Sequence, residues 1–168
     1  DARRASALSR NMALRALEQA ARARLAGGER SVTGTTGRVT AWYFDAKTNQ
    51  LKQTQADSDD VALHVGSRLA QQALTLSPEN RRLQALVVSL LLTRERTRTP
   101  WTQALPRGEG TAYDAALLAG GEVVGEVLQD ALVSGNATTA VAALEVMRNL
   151  ADRHDLQSRS GAAVPLTG

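Results

Sequence analysis

The sequence predicts an all-α fold built from antiparallel helical pairs, with one small β-hairpin inserted. Alanine and leucine supply 52 of the 168 residues, whereas Phe, Tyr and Trp supply five. This composition favours closely packed helices over aromatic-rich sheets. Apolar residues also recur at helical spacing, and short clusters of Gly, Pro, Ser and Asn separate the periodic stretches. A 168-residue chain can bury a real core, so the helices are expected to pack together.

Composition also excludes several classes of protein. A hydrophobic content of 43% disfavours intrinsic disorder, and the absence of cysteine excludes disulfide scaffolds and Cys-ligated zinc sites. The longest apolar run, Leu86 to Leu92, is broken by Ser89 and is far shorter than the roughly 20 residues that a bilayer span needs. No membrane helix is therefore expected. The lack of cysteine suits either redox environment, so the compartment stays open.

The first 56 residues are expected to form a helix followed by a hairpin. Apolar residues at helical spacing predict a helix over 3–26 within the segment 1–30, and Gly27 and Gly28 end it. Segment 31–56 changes character, because 38–44 is β-branched and aromatic and a polar turn follows before Leu51. A lone hairpin is marginal in water. We therefore expect Trp42 or Phe44 to pack on a neighbouring helix.

Two helical pairs are expected to follow. In segment 57–96 a helix begins at Asp57 or Ser58, and the break at 77–80 starts a second helix, so the two must pack antiparallel. Segment 97–111 is predicted to be a loop. Segment 112–155 contains a second pair, whose last helix can be capped by Asn136 or Thr138, and 156–168 is expected to be a linker. The missing initial Met and the Pro-Leu-Thr-Gly end suggest a piece of a longer protein.

Three short segments resemble known helical repeats. The stretch from Ala73 to Asn80 resembles the junction between consecutive tetratricopeptide repeats, which has an Ala-x-x-Leu-x-Pro-x-Asn pattern. The stretch from Glu122 to Leu150 resembles a HEAT-type helical pair, and Val164-Pro-Leu166 is similar to the entry of a further repeat. The resemblance implies a right-handed α-solenoid of a bacterial HEAT-like or tetratricopeptide-like protein, which usually acts as an adaptor or scaffold. It carries no binding residues, because such repeats define fold rather than function.

A basic and aromatic cluster is the first candidate binding site. Four arginines, Arg94, Arg96, Arg98 and Arg107, flank Trp101 in and beside the predicted loop. Such a mixture can stack on a base or clamp a carboxylate. The alternative interpretation is a solvated loop that Trp101 anchors to the helical core. Both interpretations remain open at the level of sequence.

The first helix is the second basic candidate. Glu18 is its one acidic residue between Arg3 and Arg24, among six arginines, which are Arg3, Arg4, Arg10, Arg15, Arg22 and Arg24. A helix with this charge is expected to show a solvated polar face. The alternative is a nucleic-acid-binding module that uses helix 3–24 together with the Arg94–Arg107 loop.

Signals for chemistry are weak. His64 and His154 lack metal-ligand spacing, and the acidic cluster Asp57, Asp59 and Asp60 lacks the Gly and Glu of a calcium loop, so helix capping accounts for it. The stretch Gly34 to Gly37 has no following Lys-Ser or Lys-Thr, so a turn is expected. Gly-x-Ser-x-Gly is absent as well. The sequence therefore predicts no catalytic residue, no cofactor and no metal site.

The spacing of Gly121 and Gly125 predicts close approach to a neighbouring helix. The fold class as a whole predicts a non-enzymatic scaffold for protein–protein interaction, whose partner is another protein or peptide. Because a cut repeat array exposes an apolar end, we also expect self-association.

Overall fold

Six helices and one antiparallel hairpin make up the part of the chain that the computed structural model describes. The described backbone covers residues 2–27 and 37–161, and the described side chains cover 9–27 and 37–152. The chain is therefore mostly helical with a small hairpin, as predicted. The elements in chain order are α1 (Ala2–Leu25), β1 (Arg38–Asp45), β2 (Gln50–Asp57), α2 (Ser58–Leu76), α3 (Arg81–Arg98), α4 (Ala112–Ala119), α5 (Gly121–Ser134) and α6 (Ala137–Gly161).

Short polar side chains fix where several helices begin. The Asp57 carboxylate accepts hydrogen bonds from the backbone N–H groups of Asp59 and Asp60 at 2.9 and 3.3 Å, which confirms the predicted cap of α2. Asn136 accepts from the N–H of Thr139 at 3.1 Å and starts α6, as predicted. The sequence predicts that α3 starts at about Glu79, but the helix begins two residues later, at Arg81, because Asn80 is its cap.

The first three helices run antiparallel in succession. Arg10 near the start of α1 donates a hydrogen bond to the carbonyl oxygen of Leu76 at the end of α2. Asp60 at the start of α2 likewise binds Arg94 and Arg98 at the end of α3. Helix α1 therefore packs directly on α2, although the hairpin separates the two helices in the sequence. Helix α2 packs on α3, to which the short break at 77–80 connects it.

Helix α3 lies at the centre of the molecule. Ten of its eighteen residues are buried. One side, with Leu86 and Leu90, packs against α1 and α2, and the other, with Val88 and Leu92, packs against α4, α5 and α6. A buried contact of 2.5 Å between the Thr93 and Thr139 hydroxyls links α3 to α6. Two clusters of buried residues therefore lie on the two sides of α3, and Leu91 packs against both.

The glycine that permits close helix approach is not one that the sequence indicated. A Cβ atom added at Gly121 or Gly125 would meet no heavy atom within 4 Å, so the predicted close approach there is wrong. At Gly66, by contrast, an added Cβ would lie 2.9 Å from the Arg24 Cβ and 3.0 Å from a Leu90 methyl group. Gly66 is where α1, α2 and α3 come together.

Some predicted boundaries differ from the structure. Helix α3 continues to Arg98, so the connection to α4 is 99–111 rather than 97–111. Helix α6 continues to Gly161, so the predicted linker 156–168 begins inside a helix. Residues 28–36, with most of the predicted Gly34–Gly37 turn, and residues 162–168, with Val164-Pro-Leu166, lie outside the described residues. Among the described helices, none combines the length and apolarity needed to cross a membrane.

Candidate functional site

The arginines of the predicted binding cluster belong mainly to α3 and take different roles. Arg94 and Arg98 lie one turn apart and both bind the Asp60 carboxylate, with N–O distances of 3.0 and 2.6 Å. Burial alone would raise the pKa of Asp60, but the hydrogen bonds from Arg98 and Arg94 outweigh it and hold that pKa below its ordinary value. This trio joins the start of α2 to the end of α3.

Arg96 points in the opposite direction and is almost fully buried, at 2% exposure. Its guanidinium donates to the backbone carbonyls of Gln103, Thr99 and Pro100 at 3.0, 2.9 and 2.5 Å. The Glu145 carboxylate of α6 lies 3.8 Å from the same group. Arg96 therefore holds the first part of the connection 99–111 in place from the buried side.

Two carboxylates hold the same connection, one at its middle and one where α4 begins. Glu145 also accepts a hydrogen bond from the backbone N–H of Leu105 at 2.9 Å, and Glu95 accepts from the N–H of Ala112 at 2.5 Å. The Leu105 side chain is 2% exposed and packs in the core formed by α3 to α6. These contacts fix the connection by polar bonds to backbone atoms and by one apolar anchor.

Trp101 is not that anchor. Its side chain is 64% exposed, and its ring centroid lies 5.4 Å from the Arg96 guanidinium carbon. The prediction that Trp101 packs into the helical core is therefore wrong, and Leu105 takes this role. Arg107 lies over a different ring, that of Tyr113, at 5.0 Å.

The five predicted site residues thus do not converge on one surface. Arg94 and Arg98 bind Asp60, Arg96 binds inward, and Arg107 lies on Tyr113. No free guanidinium pair stands beside Trp101 among these five, since each arginine is engaged within the described part of the chain. Ligand binding by this set stays a prediction, and its visible role is to hold the molecule together.

Several arginines of α1 also have partners in the fold. Arg22 binds Glu18 one turn away at 3.1 Å, and Arg10 reaches the end of α2. The Arg24 side chain lies against Gly66. Arg3 and Arg4 have side chains outside the described residues. The nucleic-acid alternative stays a prediction.

The hairpin presents an aromatic face that α2 does not cover. Trp42, Phe44 and Leu51 are 65%, 60% and 68% exposed, so the prediction that Trp42 or Phe44 packs on a helix is wrong. In the antiparallel register Phe44 is opposite Leu51 and Trp42 is opposite Gln53, which places all four on one face. We call this set, extended by Thr40 and Gln55, the hairpin face.

None of the six residues of the hairpin face is charged, whereas the opposite face contains charged residues. Lys52 binds Asp45 there at 2.5 Å, and the hydrogen bond from Lys52 lowers the pKa of the Asp45 carboxyl below its ordinary value. Val39, Ala41 and Ala56 on that opposite face are partly buried. The hairpin therefore turns its apolar, uncharged side outward. The signal in the sequence is the alternation of Thr40, Trp42 and Phe44.

A polar groove of about 410 Å³ separates α2 from α3. We call it the His64 groove. His64, Arg68 and Arg94 line it, and Leu91 is the one apolar lining residue. Its other lining residues are uncharged and polar, and they are Ser67, Gln71, Gln72 and Thr75. No acidic side chain belongs to the described lining. The site is absent from the predictions made on the sequence, although His64 and Arg68 lie one turn apart on α2, at i and i+4.

A second groove of about 570 Å³ lies between the end of α1, the middle of α3 and the turn from α5 to α6. Arg22 and Asp130 give it one charge of each sign, and Leu25, Leu86 and Val133 give it apolar walls. It therefore shows no preference for ligands of one charge.

Within the described residues, no group of three or more His, Cys, Asp or Glu side chains is arranged to hold a metal ion. Helix α6 includes His154, whose side chain lies outside the described part. Comparison with protein families, with curated proteins and with solved structures finds no match for the chain. The functional argument therefore rests on the geometry of this chain.

Proposed function

We propose that the chain is a non-enzymatic helical scaffold for protein–protein interaction, related in architecture to the HEAT-like and tetratricopeptide-like α-solenoids. The antiparallel succession of α1, α2 and α3 and the tight turn between α5 and α6 support this architecture. The observation that carries the function is the hairpin face, because a partner can cover it without any rearrangement of the helical core.

Two features of the hairpin face favour a protein as its occupant. Charged residues are depleted and aromatic residues enriched at the centres of protein interfaces, and Trp is prominent among the residues that dominate binding energy. Trp42, Phe44 and Leu51 match this composition. Strands β1 and β2 pair only with each other in the described sheet, so each also presents a free edge to an added strand.

A second copy of the chain is the occupant that we propose for the hairpin face. Aromatic side chains bury roughly 150–250 Å² each, so Trp42 and Phe44 with Leu51 can bury about 350 Å² per protomer at their observed exposure. The resulting total of about 700 Å² is below the roughly 1,200 Å² of stable interfaces. Self-association through this face is therefore expected to be weak, with a dissociation constant on the order of 0.1 mM.

Sedimentation velocity over protein concentrations from about 10 µM to about 1 mM tests the proposal across that range. The parent chain is expected to shift from monomer to dimer, whereas the double variant Trp42→Ser/Phe44→Ser stays monomeric. Trp101→Ser is the matched control, because Trp101 is exposed to the same degree but lies outside the hairpin. A strictly monomeric parent, or a double variant that dimerises like the parent, contradicts the proposal.

A further inference from the structure

The His64 groove has the chemistry of an anion site. Arg68, Arg94 and His64 line the same groove. The neutral side chains of Gln71, Gln72 and Thr75 add further hydrogen-bond donors. In helix α2 the groove residues His64, Ser67, Arg68, Gln71, Gln72 and Thr75 recur at i, i+3, i+4, i+7, i+8 and i+11, so they form one stripe. Arg94 faces this stripe from α3.

The balance of charge around the groove is positive. Asp60 is the acidic group near His64, and its carboxylate is already bound by both Arg94 and Arg98. Within the described part of the chain no carboxylate lies at ion-pair distance from Arg68, which is exposed. The charged groups that face His64 are thus Arg68 on its own helix and Arg94, Arg98 and Asp60 at the contact of α2 with α3.

From this juxtaposition we propose that the His64 groove binds a tetrahedral oxyanion of the phosphate type, held by Arg68, Arg94 and the imidazolium form of His64. Arginine matches such anions with paired N–H donors, and histidine adds a third donor when it is protonated. The groove is open to solvent, because most of its lining side chains on α2 are exposed, and at about 410 Å³ it leaves room for an organic group on the phosphate.

Bound anion and His64 protonation are expected to be coupled. In the free protein, partial desolvation of the exposed His64 ring by its neighbours, and then the charges of Arg94 and Arg68, lower the pKa of His64. An anion between these groups removes the repulsion that they impose on the imidazolium. The pKa of His64 therefore rises when the anion binds, and by linkage the anion binds more tightly as the pH falls through that range.

Proton NMR titration of His64 tests the coupling. His154→Gln leaves His64 as the one histidine of the chain, so its ring signal is unambiguous. Sulfate is the probe, because it stays a dianion between about pH 5 and pH 8, where histidine titrates. We expect the pKa of His64 to rise by about 0.5 unit or more in saturating sulfate relative to chloride of equal ionic strength. Equal values in the two salts overturn the proposal.

A single variant locates the site. Arg68→Gln removes the groove arginine that has no ion pair within the described part of the chain, and it is expected to weaken sulfate binding about tenfold at pH 6, a typical effect of one charge-assisted contact. Equal binding by the variant and the parent would show only non-specific screening and overturn the site.

Three further ligands define the class. Acetate should bind at least tenfold more weakly than sulfate at the same pH, because it offers a single charge and two oxygens. Binding of inorganic phosphate at least as tight as that of O-phosphoserine supports a free anion, whereas tighter binding of O-phosphoserine supports a phosphate ester. Preference for acetate over both sulfate and phosphate contradicts a tetrahedral anion.

Discussion

The centre of the molecule buries an arginine, whereas the hairpin exposes three aromatic side chains, Trp42, Tyr43 and Phe44. Arg96 on α3 is 2% exposed, and Trp42 on β1 is 65% exposed. The usual preference of each residue type is reversed in both places. Arg96 tolerates burial because backbone carbonyls and Glu145 surround it, and Trp42 is exposed because it lies on the hairpin face, opposite the partly buried Val39, Ala41 and Ala56.

This contrast separates residues that stabilise the fold from residues free to bind. A buried charge with several partners is costly to disturb, and an exposed apolar face costs the fold little if it is changed. Substitutions around α3 should therefore lower stability, and substitutions on the hairpin face should alter association while leaving stability nearly unchanged.

Replacement of Arg96 should give the largest effect. Arg96→Met leaves the carbonyls of Thr99, Pro100 and Gln103 without their donor and leaves Glu145 near an apolar side chain. We expect the free energy of unfolding to fall by about 3 kcal/mol. Urea denaturation followed by circular dichroism measures it.

Arg98→Met is the matched control for that change, since the Arg98 side chain is 55% exposed and binds one carboxylate. Its loss should be at most about 1 kcal/mol. If the two variants are equally stable, Arg96 does not hold the connection and the contrast with the hairpin disappears.

Local signals in the sequence predicted local structure well. The caps Asp57 and Asn136 and the break before α3 were readable, because a helix start depends on residues within one turn. The hairpin was readable for the same reason, since a β-branched run and a polar turn lie close together in the chain.

Which side chains of α3 and of the connection 99–111 are buried could not be predicted from local signals. Arg94, Arg96 and Arg98 are identical in type, yet Arg96 turns inward to the carbonyls of the connection 99–111 and to Glu145 on α6, whereas Arg94 and Arg98 meet Asp60 on α2. Trp101 and Leu105 posed the same difficulty, because both are apolar and lie in one connection. Contacts between residues distant in sequence decide these cases, and a single sequence does not display them.

Leu105 and Trp101, both in the connection 99–111, should give the next largest difference in stability. Leu105→Ala removes a buried side chain from the core and should cost about 2.5 kcal/mol. Trp101→Ala truncates a larger but exposed side chain and should cost about 0.5 kcal/mol. Thermal denaturation ranks the two variants, and a greater loss for Trp101→Ala would restore the role that the sequence suggested for it.

Two glycine substitutions should shift stability in opposite directions. Gly66→Ala places a methyl group 2.9 Å from the Arg24 Cβ, and the resulting overpacking should lower stability by about 1 kcal/mol despite the better helix propensity of alanine. Gly125→Ala meets no atom within 4 Å and should raise stability by about 0.5 kcal/mol. Urea midpoints with an unchanged slope are the measurement. A stabilised Gly66→Ala variant would mean that α1 packs less closely on α2.

Asp60 lies where the hairpin meets the helical core, and its effect should depend on pH. Arg98 and Arg94 lower its pKa, so its contribution is complete above the unfolded value of about 3.9 and is lost as the pH falls through the lower folded value. Asp60→Asn should therefore cost about 1 kcal/mol at pH 7 and progressively less below about pH 4. Urea denaturation of both proteins from about pH 7 to about pH 3 measures the difference. A difference that stays constant over this range would show that the ion pairs with α3 do not contribute, and the border between the two regions would then depend on packing alone.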